Sequence, residues 1–236
     1  MRGEQLALSV ALAQTQTFGN YHPGPNTAAV GTVQELLAPG GGLVLLLHGP
    51  TGSGKTHLAR ALLRAAEAQK LSHCLLSIDA KLPEPTALSA AGNCRLVVVD
   101  SLDARALPDD FALQLLRVLD VAKTKSANVL LVARHNSPQL QFARPDLATR
   151  VAAAASFGLK NLSDEDRARL LTLHAHARGL HLPDEVAHYL LRHLARDIGT
   201  LLGAVHLLDS ASLAQQRRLT IPFVQQTLLR AQGALF

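Results

Sequence analysis

Tryptophan is absent from this chain of 236 residues, and aromatic residues of all kinds make up only 3% of it. A core without large rings must be assembled from Leu, Val and Ala, and hydrophobic residues do supply 48% of the sequence. That composition favours helices packed on a buried sheet over a β-sandwich. Cysteine is scarce as well: Cys74 and Cys94 stand in or beside apolar runs without zinc-type spacing. Reduced, buried thiols in a cytoplasmic protein are the expectation. No apolar stretch reaches membrane-spanning length, so no membrane partner is expected. The opening run through Ala11-Leu12-Ala13 imitates a signal peptide, but Glu4 offsets Arg2 and the apolar part is short. Dense Lys/Arg blocks are also lacking. A formal charge of +5, from 23 basic and 18 acidic residues, leaves room for an anionic partner. Any direct contact with DNA would be weak and salt-sensitive. The length suits one α/β domain with a smaller appendix.

What the chain does have is a complete G-x-x-x-x-G-K-T pattern from Gly49 to Thr56, preceded by the apolar run Leu43–Leu47. Leu58, Ala61, Leu62 and Ala65 follow at helical spacing, so the pattern sits between a buried strand and a helix. Gly49, Gly52 and Gly54 free the backbone to turn its N–H groups towards phosphates, with Pro50, Thr51 and Ser53 completing the loop. Lys55 brings a compact positive charge to the outer phosphates, and the Thr56 hydroxyl is a ligand for Mg²⁺. His57 opens the helix, whose N-terminal dipole adds to the site.

Further along, Cys74–Ile78 reads as a second strand, and Pro83 and Pro85 mark a loop. Arg95–Asp100 is an apolar run closed by an acid, which places the Asp100 carboxylate on Mg²⁺. A helix over 109–122 leads to a fourth strand, Asn128–Ala133, with Asn136 just beyond it, where a polar residue meets the γ-phosphate. Such alternation means a parallel sheet that binds ligand at the carboxyl ends of its strands. After Gly158 the pattern turns all-helical. Ser163 caps a helix that opens with three acids, Pro183 starts another, 200–215 makes a third, and Thr220-Ile221-Pro222 opens a fourth. Eight Lys/Arg against seven Asp/Glu over 162–236 argue against a DNA-binding head.

Together these features resemble the AAA+ ATPases of the bacterial initiator branch. Thr17–Tyr21, with Gly24 and Asn26, is similar to the segment these proteins place over adenine, which implicates Tyr21 and His22 in cofactor binding. Pro145–Arg150 resembles their box ending in an arginine finger, with Arg144 as the fallback. Ser163–Asp166 and Leu219–Val224 are most similar to the Hda family, DnaA-related proteins that inactivate the initiator once replication has begun. The resemblance implies an AAA+ P-loop domain with a parallel five-stranded sheet flanked by helices over 14–160, and an all-α lid domain over 161–236. It also implies a clamp-binding tail over 1–13, in which Gln5, Leu6, Leu8 and Val10 address the β subunit of the DNA polymerase III sliding clamp. An extended tail would present Leu6, Leu8 and Val10 to one apolar groove. Ser9 stands where the family often has Pro.

The implied function is regulation of replication initiation. Bound to ADP or ATP with Mg²⁺ and to the DNA-loaded clamp, the protein would stimulate hydrolysis of DnaA-bound ATP through Arg150. Two departures lower the turnover expected at its own site: Ser101 follows Asp100 where a glutamate usually stands, and Gly199 occupies the place of a lid arginine, with Arg196 about one turn earlier. The competing expectation is a self-oligomerising AAA+ ATPase of the helicase-loader type. The initiator itself is disfavoured because no helix-turn-helix module follows the last lid helix. The histidines, His174 and His176 among them, lack metal-binding spacing.

Overall fold

The computed structural model describes residues 16–78, 82–195 and 197–233. Their contacts divide at Asn161/Leu162 into two compact units. The first is built on five short strands: β1 (Val44–His48), β2 (His73–Ser77), β3 (Leu96–Asp100), β4 (Asn128–Val132) and β5 (Ala155–Gly158). All pairings are parallel, in the order β2-β3-β4-β1-β5.

The central strands β1, β3 and β4 are apolar except for one terminal residue each, because both faces are covered. Successive side chains point to opposite sides of a strand. Leu46, Val97, Val99, Val129 and Leu131 face one cluster, which they share with α3 (Pro85–Ala91), α4 (Asp109–Thr124) and α5 (Pro145–Ala152). Leu45, Leu47, Leu96, Val98, Leu130 and Val132 face the other, shared with α1 (Thr27–Glu35) and α2 (Lys55–Ala68). Such doubly buried strands are the mark of a parallel sheet. Pro85 begins a short helix where the sequence pointed to a loop: at the first helical position proline forfeits no hydrogen bond.

Two side chains stitch this unit together. Asn128, 3% exposed, donates from Nδ2 to Leu36 O at 2.9 Å and Ala38 O at 3.0 Å, and its Oδ1 accepts from Leu43 N at 2.9 Å. It thus binds the end of α1, the approach to β1 and the start of β4. Asn26 exchanges two hydrogen bonds with the Lys160 backbone, at 3.0 and 2.8 Å.

The second unit comprises α6 (Asp164–His176), α7 (Asp184–His193), α8 (Ile198–Gln215) and α9 (Ile221–Gly233) among the described residues. Leu171, Val186, Leu190, Leu201, Val205, Leu208 and Val224 form its core. Ser163 caps α6 by accepting from Asp166 N at 3.1 Å, and Asp197 caps α8 by accepting from Thr200 N at 2.8 Å. In both cases an oxygen satisfies an amide that the helix cannot.

Candidate functional site

A parallel sheet delivers every strand's carboxyl end to one edge, and β1 lies next to β4, which lies next to β3. The loop after β1 therefore meets the residues after β4 directly, and those after β3 one strand further on. Backbone hydrogen bonds tie these ends together: Gly49 N donates to Arg134 O at 3.2 Å, Ala133 N to Leu47 O at 3.1 Å, and Leu102 N to Val132 O at 2.8 Å.

Within the loop Gly49, Gly52 and Gly54 have φ of +145°, +82° and +94°. A Cβ on Gly49 would stand 2.5 Å from Leu159 O, and one on Gly54 2.8 Å from the Tyr21 ring. Glycine is required at both places, by conformation and by space. Pro50, Thr51, Gly52 and Thr56 are exposed, and Ser53 is buried. Lys55 Nζ donates to Gly49 O at 2.7 Å and to Pro50 O at 2.8 Å. Burial lowers its pKa, the carboxylates of Asp103 and Asp100 oppose that, and Arg134 adds to it.

Thr17, Phe18 and Asn20 form a turn locked by Thr17 N donating to Asn20 Oδ1 at 2.9 Å. Tyr21 emerges from this turn beside Gly54 and meets His57 edge-on, with ring centroids 5.2 Å apart. Burial pushes the Tyr21 hydroxyl up to about 12, with the Asn26 side chain opposing. The His57 ring contacts Thr17 O at 2.9 Å, and burial holds its pKa below the ordinary value, with that carbonyl opposing. The imidazole of His57 thus holds the turn, while its backbone belongs to the start of α2. Asn26, read from sequence as part of the adenine segment, spends its side-chain amide on Lys160. His22 is half-buried just past Tyr21.

Asp100 ends β3, half-buried. Asn136 follows β4, and its Oδ1 is buried without a hydrogen-bond partner among the described residues. Arg150 lies in the last turn of α5 and pairs through Nη2 with the Asp120 carboxylate of α4, a partner the sequence did not reveal. Arg144 contacts Asp109 at 3.3 Å and Asp146 at 3.6 Å. Gly199 lies in the first turn of α8. Gln5, Leu6, Leu8, Val10 and Arg196 lie outside the described residues.

Glycines that leave no room for a Cβ at Gly49 and Gly54, a lysine at the mouth of their loop and hard oxygen donors on Thr56 and Asp100 fit a Mg²⁺-nucleotide. Among the described residues no helix is long and apolar enough to cross a membrane.

The ATPase family associated with various cellular activities (AAA) matches residues 45–151, and the Hda lid domain matches residues 164–228. Domain III of the Thermotoga maritima replication initiation protein DnaA is similar at a TM-score of 0.76 and 16% identity, over 91% of this chain and 96% of that one. A replication initiator DnaA bound to AMPPCP and single-stranded DNA gives 0.70 and 16%, over 85% of this chain and 68% of that one. The Thermotoga maritima RuvB Holliday junction branch migration motor gives 0.61 and 16%, over 85% and 68%. At that identity the structural likenesses establish the fold. With an AAA core over 45–151 followed by an Hda lid over 164–228, in a fold shared with domain III of DnaA, the chain is an Hda-like AAA+ protein.

Proposed function

We propose that this protein is a cytoplasmic, nucleotide-bound regulator of replication initiation that stimulates hydrolysis of the ATP held by the DnaA initiator while tethered to the sliding clamp. The observation that carries the reading is the pairing of an Hda lid over 164–228 with an AAA core in which Ser101, not an acid, follows Asp100. A chain built this way holds nucleotide well and turns it over slowly.

In this reading the backbone of Gly49–Lys55 and the Lys55 ammonium bind the phosphates of ADP or ATP, and Tyr21 and His22 stand by the base. Thr56 and Asp100 would hold Mg²⁺, which would neutralise charge on the phosphates. Asn136 donates to the terminal phosphate. Arg150 acts on the partner: its guanidinium leaves Asp120 for the γ-phosphate of the initiator's ATP, where a fixed positive charge stabilises the transferring phosphoryl group. Such a finger is worth about 10³–10⁵ in rate. The competing ion pair is half-exposed, 36% on Arg150 and 48% on Asp120. Pairs of that kind contribute on the order of 0–1 kcal/mol, so Asp120 does not withhold the arginine from a phosphate.

The test follows hydrolysis of ATP preloaded on the initiator, with DNA-loaded clamp present, for wild type and Arg150→Ala. Stimulation by wild type that vanishes in the variant, with nucleotide binding intact, is the expected result. Clamp-independent turnover by the protein alone, without stimulation of the initiator, would sink this reading in favour of a self-oligomerising ATPase of the helicase-loader type.

A further inference from the structure

The chain between β3 and α4 brings a second carboxylate to the site, one that motif spacing does not reveal. β3 ends at Asp100, and Ser101 takes φ +62°, so the backbone turns aside instead of continuing past the sheet. Leu102 enters the core, 1% exposed, and its N–H donates to Val132 O at 2.8 Å. That contact lands Asp103 over the carboxyl end of β4.

There the Asp103 carboxylate accepts the Arg134 N–H at 3.0 Å on each oxygen and the His135 N–H on Oδ2 at 3.1 Å. The same Oδ2 lies 2.7 Å from His135 Nδ1, and Arg134 Nη2 donates to the Asp103 carbonyl at 3.3 Å. The side chain is 11% exposed. Burial would raise its pKa, but the Arg134 N–H and the His135 ring and N–H together outweigh that and hold it below the usual value. A carboxylate so engaged makes a poor general base, so Asp103 does not replace the missing glutamate. Its hydrogen bonds go instead to the two residues immediately before Asn136.

We propose that Asp103 is a positioning residue: by clamping the backbone of Arg134 and His135 it fixes the direction in which Asn136 meets the terminal phosphate of the bound nucleotide. The proposal rests on the nucleotide reading of the glycine loop. Two consecutive amides held by one carboxylate leave the loop little freedom, and side-chain amide donors need such pre-set orientation to distinguish a third phosphate from water. Asp103 thereby couples the end of β3 to the sensing of the nucleotide's phosphate number.

The test compares Kd for Mg-ATP and Mg-ADP in wild type, Asp103→Ala, Asp103→Asn, Asn136→Ala and the Asp103→Ala/Asn136→Ala double variant. Asp103→Ala is expected to weaken ATP about tenfold while ADP stays within about twofold, the size of one charge-assisted hydrogen bond. Asp103→Asn, which keeps one oxygen acceptor, should lose less. The double variant should lose no more than Asn136→Ala, because Asp103 acts through that residue. Equal losses for ATP and ADP, or losses that add, would overturn the proposal. Amide exchange in the wild type gives a test free of variants: the N–H groups of exposed Arg134 and His135 should be protected, and fast exchange at both would refute the clamp. Failure of wild type to bind either nucleotide removes the nucleotide reading itself, whereas loss of partner stimulation with normal ATP/ADP discrimination touches only the regulator reading.

Discussion

Lys55 shows how much a single residue of this site depends on its surroundings. Its Nζ is drawn onto the carbonyls of Gly49 and Pro50, and burial depresses its pKa against the pull of Asp103 and Asp100. The two carboxylates help keep a half-buried ammonium charged, and a charged ammonium is what phosphate requires. Lys55→Ala should weaken Mg-nucleotide binding about tenfold to a hundredfold, as loss of a charged hydrogen bond does. Calorimetric titration checks this, and unchanged affinity would remove Lys55 from the site. Gly49 and Gly54 were readable as glycines of a phosphate loop. What was not readable is that Leu159 O and the Tyr21 ring occupy the space a side chain would need.

Between elements, α6 and α8 meet through a histidine pair. His174 Nε2 and His206 Nε2 are 3.5 Å apart, next to an ion pair in which Arg178 Nε lies 2.8 Å from Asp209 Oδ2. His174 is held below its ordinary pKa of 6.5 by burial, His206 and Arg178. His206 is likewise lowered by burial and Arg178, with Asp209 opposing. Because the folded pKa values lie below the unfolded one, the stabilisation is present above about 6.5 and is lost as pH falls through the folded values. Urea unfolding of the protein should therefore show the helical unit weakening from pH 7 towards pH 5. His206→Gln should flatten that slope, and an unchanged slope in the variant would rule the pair out as its source. Spacing along α6 separates His174 from His176, but nothing in the sequence places His206, 32 residues later, against the first of them.

At the scale of the molecule, the two units have separate cores: clusters on both faces of the sheet in one, and a helical cluster around Leu171, Leu190, Val205 and Val224 in the other. A segment with its own buried core and capped helices can fold by itself, although at about this size the margin is a few kcal/mol. Residues 162–236 expressed separately should give a helical circular dichroism spectrum with cooperative thermal unfolding. A non-cooperative melt would mean that the cluster does not suffice.

The first four strands, their parallel arrangement, the glycine loop and the cap at Ser163 were legible in the chain, because each follows from short-range rules, whereas the helix over Pro85–Ala91 was read as a loop. Alternating or continuous apolar runs set strands, 3.6-residue spacing sets helices, and glycine, lysine and threonine at fixed offsets set a phosphate loop. Only the tertiary structure decided what the isolated polar residues do. Asp103 clamps the chain after β4 because Ser101 turns the backbone at φ +62°. Asn128 and Asn26 bind segments 85 and 134 residues away. Arg150 rests on Asp120, 30 residues earlier. Each pairing depends on which strands lie side by side and where a turn releases the chain, and no local pattern encodes that distance.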